Sequence, residues 1–205
     1  MQQWIEWAKK IKAIAQTGQA YSTGPYDLER YKQLETIAHE MFAQMAAAPI
    51  GQVADFFVPD RGYATPKVDL RAGVFDGDRV LLVRERSDNR WSLPGGWADV
   101  GESPSEGIVR EVREESGFEV TDPQLVAVID RSLHAYLPRR PDHVYKLFFQ
   151  CRRIGGAVRP NLEISEIDYF PVDALPELSV DRVLAADIER LHAWHRGEVR
   201  PVHVD

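Results

Sequence analysis

The sequence predicts an α/β (α+β) fold, a mixed sheet with helices packed on it, preceded by a small helical domain. Three observations carry this. Up to residue 48, apolar side chains recur at three- and four-residue spacing. From residue 67 the pattern changes to period two and short apolar runs, and a well-capped helix interrupts those strands. The chain has 205 residues, 44% hydrophobic and 28% charged, which suits one domain with a small appendage and excludes disorder.

The elements follow in order. Trp4, Trp7, Ala8, Ile11, Ile14 and Ala15 form one apolar stripe, which Gly18 and Gly24-Pro25 should end. Asp27 is the expected N-cap of a second helix, with Tyr31, Leu34, Ile37, Ala38, Met41, Phe42 and Met45 on one face. Two such faces need packing partners elsewhere in the chain or in a second subunit. The domains are therefore expected at 1–48 (helical, for packing or dimerisation), 49–66 (a linker with a Phe56-Phe57-Val58 anchor) and 67–205 (the mixed-sheet domain). Val68–Phe75 and Arg79–Arg84 read as strands joined by the Asp76-Gly77 turn. Trp91–Leu93 and Trp97–Val100 are short strand candidates around Pro94-Gly95-Gly96. Further strands are expected near Gln124–Ile129, His143–Arg152 and Ile167–Phe170, and a last helix over Asp181–Arg196.

Charge and cysteine content exclude several classes. A net charge of −7 argues against stable DNA binding, which needs clustered Lys and Arg. The single cysteine, Cys151, lies in an apolar run and reads as a buried hydrophobe. The N-terminus lacks a basic region followed by an apolar one, and no stretch has membrane-spanning length, so a cytoplasmic location without membrane contact is expected.

The chemistry resides in residues 96–118. Ser103 and Glu106 form a capping box, Pro104 fits the first helical position, and Gly117 ends the helix. At 100° per residue, Ile108, Val109 and Val112 face the core, and Glu111, Glu114 and Glu115 share an adjoining arc, with Glu115 at the apolar border. Three carboxylates on one face repel unless cations neutralise them. An all-oxygen donor set suits Mg²⁺ first and Mn²⁺ second. Arg110 lies one turn before Glu114 and can orient a carboxylate.

Gly96, Glu102, Arg110, Glu111, Val112, Glu114, Glu115, Gly117 and Phe118 match every specified position of Gly-x5-Glu-x7-Arg-Glu-U-x-Glu-Glu-x-Gly-U. This segment resembles the box of the Nudix hydrolase superfamily, and a chance match in such a chain is on the order of 10⁻⁷ at ordinary residue frequencies. The resemblance implies an α/β/α sandwich around a mixed sheet and hydrolysis of a nucleoside diphosphate linked to a group X. It also implies that Glu111 and Glu115 ligate the metal, with Glu114 directly or through water, and that a carbonyl of Gly95 or Gly96 adds a ligand. Arg110 would orient the glutamates and Glu102 support the loop or a second metal. Glu163 and Glu166 are candidates for the general base, with Glu166 as the choice. Residues 4–11, 26–31, 63–71 and 175–179 resemble a subgroup with a helical N-terminal domain, of the CDP-choline or ADP-ribose pyrophosphatase type. That likeness implies a homodimer through the N-terminal helices. Arg71, Arg84, Arg86, His143, Tyr145 and Lys146 are the substrate-binding candidates, because they sit on or beside strands that could border the cleft. Two other functions compete: weak trimming of RNA 3′ ends, and ligand sensing without chemistry.

Overall fold

The computed structural model describes residues 2–46, 62–159, 161–198 and 201–205. The expected linker lies mostly outside the described residues, as do Phe56, Phe57 and Val58. The chain divides into two compact units, Met1–Pro66 with Arg140–His143, and Lys67–Arg139 with Val144–Asp205.

The first unit is an antiparallel-type helix pair, α1 (Gln2–Tyr21) and α2 (Pro25–Ala46). Gly18 does not end α1. A Cβ there would stand 2.3–2.4 Å from the Tyr31 ring, so this glycine lets α2 approach closely. The second helix starts at Pro25, ahead of the expected Asp27 cap, as suits proline at a first helical position. The apolar stripe of α1 is split. Ala8 and Ala15 are fully buried, and Ala8 packs with Phe42, whereas Trp4, Trp7 and Ile14 are 56%, 44% and 58% exposed. Inside the pair, the buried Lys12 bonds Gln16 at 3.1 Å and pairs with Glu35 at 3.3 Å.

The second unit holds strands β1 (Lys67–Asp76), β2 (Arg79–Glu85), β3 (Trp91–Ser92), β4 (Phe118–Asp130), β5 (Val144–Gly156), β6 (Ile164–Pro171) and β7 (His203–Val204), with helices α3 (Pro104–Ser116) and α4 (Ala185–His195). The strand order is β3-β2-β1-β5-β4-β7, and β6 pairs with β2. The sheet is mixed: β1 runs parallel to β5 from Lys67↔Val144 to Val74↔Cys151, and β4 is antiparallel to β5. Each face has its own core. Leu70, Ala72, Val74, Phe149 and Cys151 pack with Ile108 and Val112 of α3. Val80, Leu82, Phe148 and Ile129 pack with Ile188, Leu191 and Trp194 of α4. This is the expected sandwich.

Some boundaries move for local reasons. Trp97–Val100 is not a strand: Trp97 makes one isolated bridge to Asp69, next to the left-handed Gly95 (φ 142°). Strand β4 starts at Phe118, well before Gln124, because it pairs with β5 from Phe118↔Gly156 onward. Its apolar alternation is broken where the register shifts between Thr121 and Gln124, and Asp122 has φ 53°. Helix α4 begins at Ala185, because residues 182 and 183 close a turn onto the Ser179 carbonyl and Asp187 accepts the Leu184 N–H.

An ionic cluster lies inside this unit. Asp69 takes Arg71 Nε at 2.9 Å and Nη2 at 2.8 Å, and Lys146 Nζ at 2.7 Å. All three residues are at most 6% exposed. Burial opposes the charge on Asp69, but the Arg71 and Lys146 charges outweigh it and hold the carboxyl at about 2. Removing one member of a buried cluster leaves uncompensated charge, so Asp69→Asn should cost about 3–5 kcal/mol in urea unfolding. Asp122→Asn breaks only the exposed pair with Arg152 and should cost under about 1 kcal/mol. The Asp69 contribution is complete above its unfolded value of 3.8 and is lost as pH falls through about 2. The stability gap between wild type and Asp69→Asn should close over that window.

Candidate active site

The site is built on α3. Ser103 Oγ accepts the Glu106 N–H at 3.3 Å, and Glu106 accepts the Ser103 N–H at 2.9 Å, so the capping box is complete. Gly117, at φ 78°, ends the helix, and its N–H donates to the Arg113 carbonyl. With both ends fixed, the helix sets the direction of its glutamates.

Arg110 gathers them. Its Nε donates to both carboxylate oxygens of Glu102 at 3.0 Å, and its Nη1 to Glu111 and Glu114, also at 3.0 Å. Its Nη2 lies 3.3 Å from Asp99. Glu114 is exposed, Glu111 half-buried and Glu115 only 7% exposed. Burial pushes the Glu115 carboxyl up to about 8, against the pull of the Arg71 charge and of the Gly95 N–H, which it accepts at 2.8 Å. Burial also raises Glu111, with Arg110 opposing.

The two glycines have separate reasons. A Cβ on Gly95 would lie 2.0 Å from the Leu70 carbonyl oxygen, so the backbone itself excludes a side chain. A Cβ on Gly96 would stand 3.1 Å from Glu111 Oε1, so its absence leaves the carboxylate room. The segment is hydrogen-bonded along β1, with Leu70 N–H on Gly96 O at 2.7 Å and Ala72 N–H on Pro94 O at 2.9 Å. Glu111, Glu114 and Glu115 line a cleft of about 540 Å³ together with Arg113, Arg159, Asn161, Leu162 and Glu163. Among the described residues, no three acidic, His or Cys side chains already converge on one point, and the positive charge between Glu111 and Glu114 is that of Arg110. The donors are nevertheless all hard oxygens beside a glycine gap, which suits a small divalent cation.

Comparison with known proteins assigns the fold and box to one family. The NUDIX domain model matches residues 67–193. This chain belongs to the Nudix family. Residues 2–57 match the UDP-X-like N-terminal oligomerisation domain. Over 193 residues the chain is 40% identical to YjhB of Bacillus subtilis (strain 168), provisionally named an ADP-ribose pyrophosphatase, covering 94% of this chain and 92% of that protein. A crystal structure of a UDP-X diphosphatase covers 99% of this chain and 98% of its own, at 32% identity and TM-score 0.65. Over 130 residues the chain is 33% identical to the NAD-capped RNA hydrolase NudC of Pseudomonas aeruginosa (strain LESB58). That match spans 62% of this chain and 44% of the relative.

Around the Nudix box the other candidates separate. Arg71 and Lys146, expected to bind substrate, are buried on Asp69. Arg71 also donates to the Leu93 carbonyl at 3.2 Å. Lys146 Nζ also stands 5.4 Å from the centre of the Tyr136 ring, so both cations belong to the interior of this unit. Glu166 is exposed and paired with Arg84 at 2.6 Å, and neither lines the cleft. Glu163 does line it. Arg86 holds the cleft loop from behind, with Nε on the Asn161 carbonyl at 3.3 Å and its N–H on Glu163 O at 2.8 Å. His143 groups with the first unit, and Tyr145, 39% exposed on β5, is not a lining residue. Arg159, Asn161 and Leu162 carry no sequence signal, since they lie in a loop outside the box.

The glycine geometry separates two variants. Gly96→Ala should keep the fold, with a melting temperature close to wild type, and lower turnover about 10²-fold by displacing Glu111. Gly95→Ala should fail earlier, as loss of cooperative unfolding, because its obstacle is backbone.

Proposed function

We propose that this Nudix hydrolase is a Mg²⁺- or Mn²⁺-dependent pyrophosphohydrolase. Its substrate would be a nucleoside diphosphate linked to a group X, cleaved to a nucleoside monophosphate and phospho-X. The observation that carries this reading is the meeting of Glu111, Glu114, Glu115 and Glu163 in one cleft. The likeness to a UDP-X diphosphatase and to proteins named for ADP-ribose supports the substrate class. ADP-ribose and CDP-choline are the first members to test, with UDP-linked compounds beside them.

Glu111, Glu114 and Glu115 would hold the cation, and the Gly95 or Gly96 carbonyl would add an oxygen. The Gly96 carbonyl already accepts one N–H and keeps a second lone pair. A bound divalent cation neutralises phosphate charge and lowers the pKa of the attacking water. Arg110, held by Glu102, offsets the repulsion between the carboxylates and aims them. Glu163 replaces Glu166 as the group proposed to accept a proton from water, since it lines the cleft. The exposed Trp4, Trp7 and Ile14 of α1, in a segment that matches an oligomerisation domain, support a homodimer through the first unit. The part-length likeness to NudC favours a second reading, in which X-linked ADP is presented at the end of an RNA. Among the described residues no helix is long and apolar enough to cross a membrane.

A substrate panel with each metal tests the reading. It should contain ADP-ribose, CDP-choline, UDP-sugars, NADH and NAD-capped RNA, with products separated by chromatography. Release of a nucleoside monophosphate from one X-linked diphosphate is the expected result. Glu114→Gln and Glu115→Gln should each lose at least about 10²-fold in turnover with circular dichroism unchanged. Full activity in either variant would overturn the assignment of the site. In light scattering, the double variant Trp7→Glu with Ile14→Glu should run as a monomer where wild type runs as a dimer.

A further inference from the structure

Two cationic side chains line the cleft without belonging to the box. Arg113 stands on α3 one residue before Glu114, and Arg159 follows β5. Among the described residues neither guanidinium makes an ion pair or side-chain hydrogen bond. In a chain of net charge −7, and in a cleft with four glutamates, two unengaged arginines are conspicuous. Most other arginines of this unit are paired, such as Arg71 with Asp69, Arg84 with Glu166 and Arg182 with Glu85.

The wall that carries Arg159 is fixed by hydrogen bonds to the end of α3. The Arg159 N–H donates to the Ser116 carbonyl at 3.0 Å, and Asn161 Nδ2 donates to the Glu114 carbonyl at 2.6 Å. Asn161 Oδ1 accepts the N–H groups of Glu163 and Ile164 at 2.8 Å. Two of the last carbonyls of α3, those of Glu114 and Ser116, are thus satisfied from this wall, which holds Arg159 at the cleft. Leu162 is 95% exposed there, an apolar surface beside the two charges.

We propose that Arg113 and Arg159 form a phosphate subsite of this cleft, taking the non-bridging oxygens of one phosphate of the diphosphate, with Leu162 against the group that phosphate bears. Guanidinium binds phosphate through paired N–H donors, so this subsite supplies positive charge that the carboxylate side cannot. The inference rests on the nucleoside diphosphate reading and assigns the residues that hold the substrate.

Steady-state kinetics on the best substrate, and calorimetric binding of inorganic pyrophosphate in the presence of Mn²⁺, test it. Arg159→Ala and Arg113→Ala should each raise KM about tenfold with kcat within about twofold, and their double variant should raise it further. Pyrophosphate binding should weaken in parallel, the Mn²⁺ activation constant should hold, and Arg159→Lys should recover part of the loss. Arg152→Ala removes the same charge outside the cleft lining and should leave KM alone. Unchanged KM and pyrophosphate affinity would overturn the subsite. So would a rise in the Mn²⁺ constant together with a lowered melting temperature, since the arginines would then serve only the end of α3. Pyrophosphate binding that depends on the arginines, without turnover of any X-linked diphosphate, would keep the subsite and overturn the substrate reading.

Discussion

A helix that gathers carboxylates on one face must hold them against mutual repulsion. In this protein a single guanidinium does so: Arg110 reaches Glu102, Glu111, Glu114 and Asp99. Its planar fork fixes directions that a lysine ammonium would leave free. The capping box at one end of α3 and the left-handed Gly117 at the other keep the helix from turning or fraying under that load. The glutamates of this helix take their placement from it, and the opposite wall of the cleft docks on its end.

A second electrostatic layer lies beneath the first. Asp69, Arg71 and Lys146 close a buried cluster between β1 and β5. Arg71 extends it to the Leu93 carbonyl, just before the Pro94-Gly95-Gly96 turn that presents an N–H to Glu115. Strand, turn and helix are thereby tied by charge as well as by apolar packing. Burial lowers Lys146 to about 8 against the pull of Asp69, so the cluster has little margin for losing a partner.

How much could be read beforehand depends on distance along the chain. The box helix was legible to within a residue because its caps, stripe and acidic arc lie within about one motif. The sandwich was legible from the change of period near residue 67. The ionic cluster was not, because Asp69 and Lys146 are 77 residues apart, and nothing in period-two alternation tells that Tyr136 packs over the lysine. Glu163 and Glu166 differ only in their place relative to the start of β6, which carries no sequence mark. On α1 the stripe was visible, but which half of it α2 would cover was not. Gly18 explains that choice, since it admits the Tyr31 ring.

Residues 157–159 and 161–163 have a double duty. The Arg159 N–H and the Asn161 amide that wall the cleft also cap α3, and Gly117 and Gly156 meet so closely that a Cβ on Gly156 would lie 2.3 Å from the Gly117 carbonyl oxygen. Lengthening this loop would uncap the helix that holds the glutamates. Divergence toward new substrates is therefore easiest by exchanging the Arg159, Leu162 and Glu163 side chains while the two anchoring hydrogen bonds stay in place.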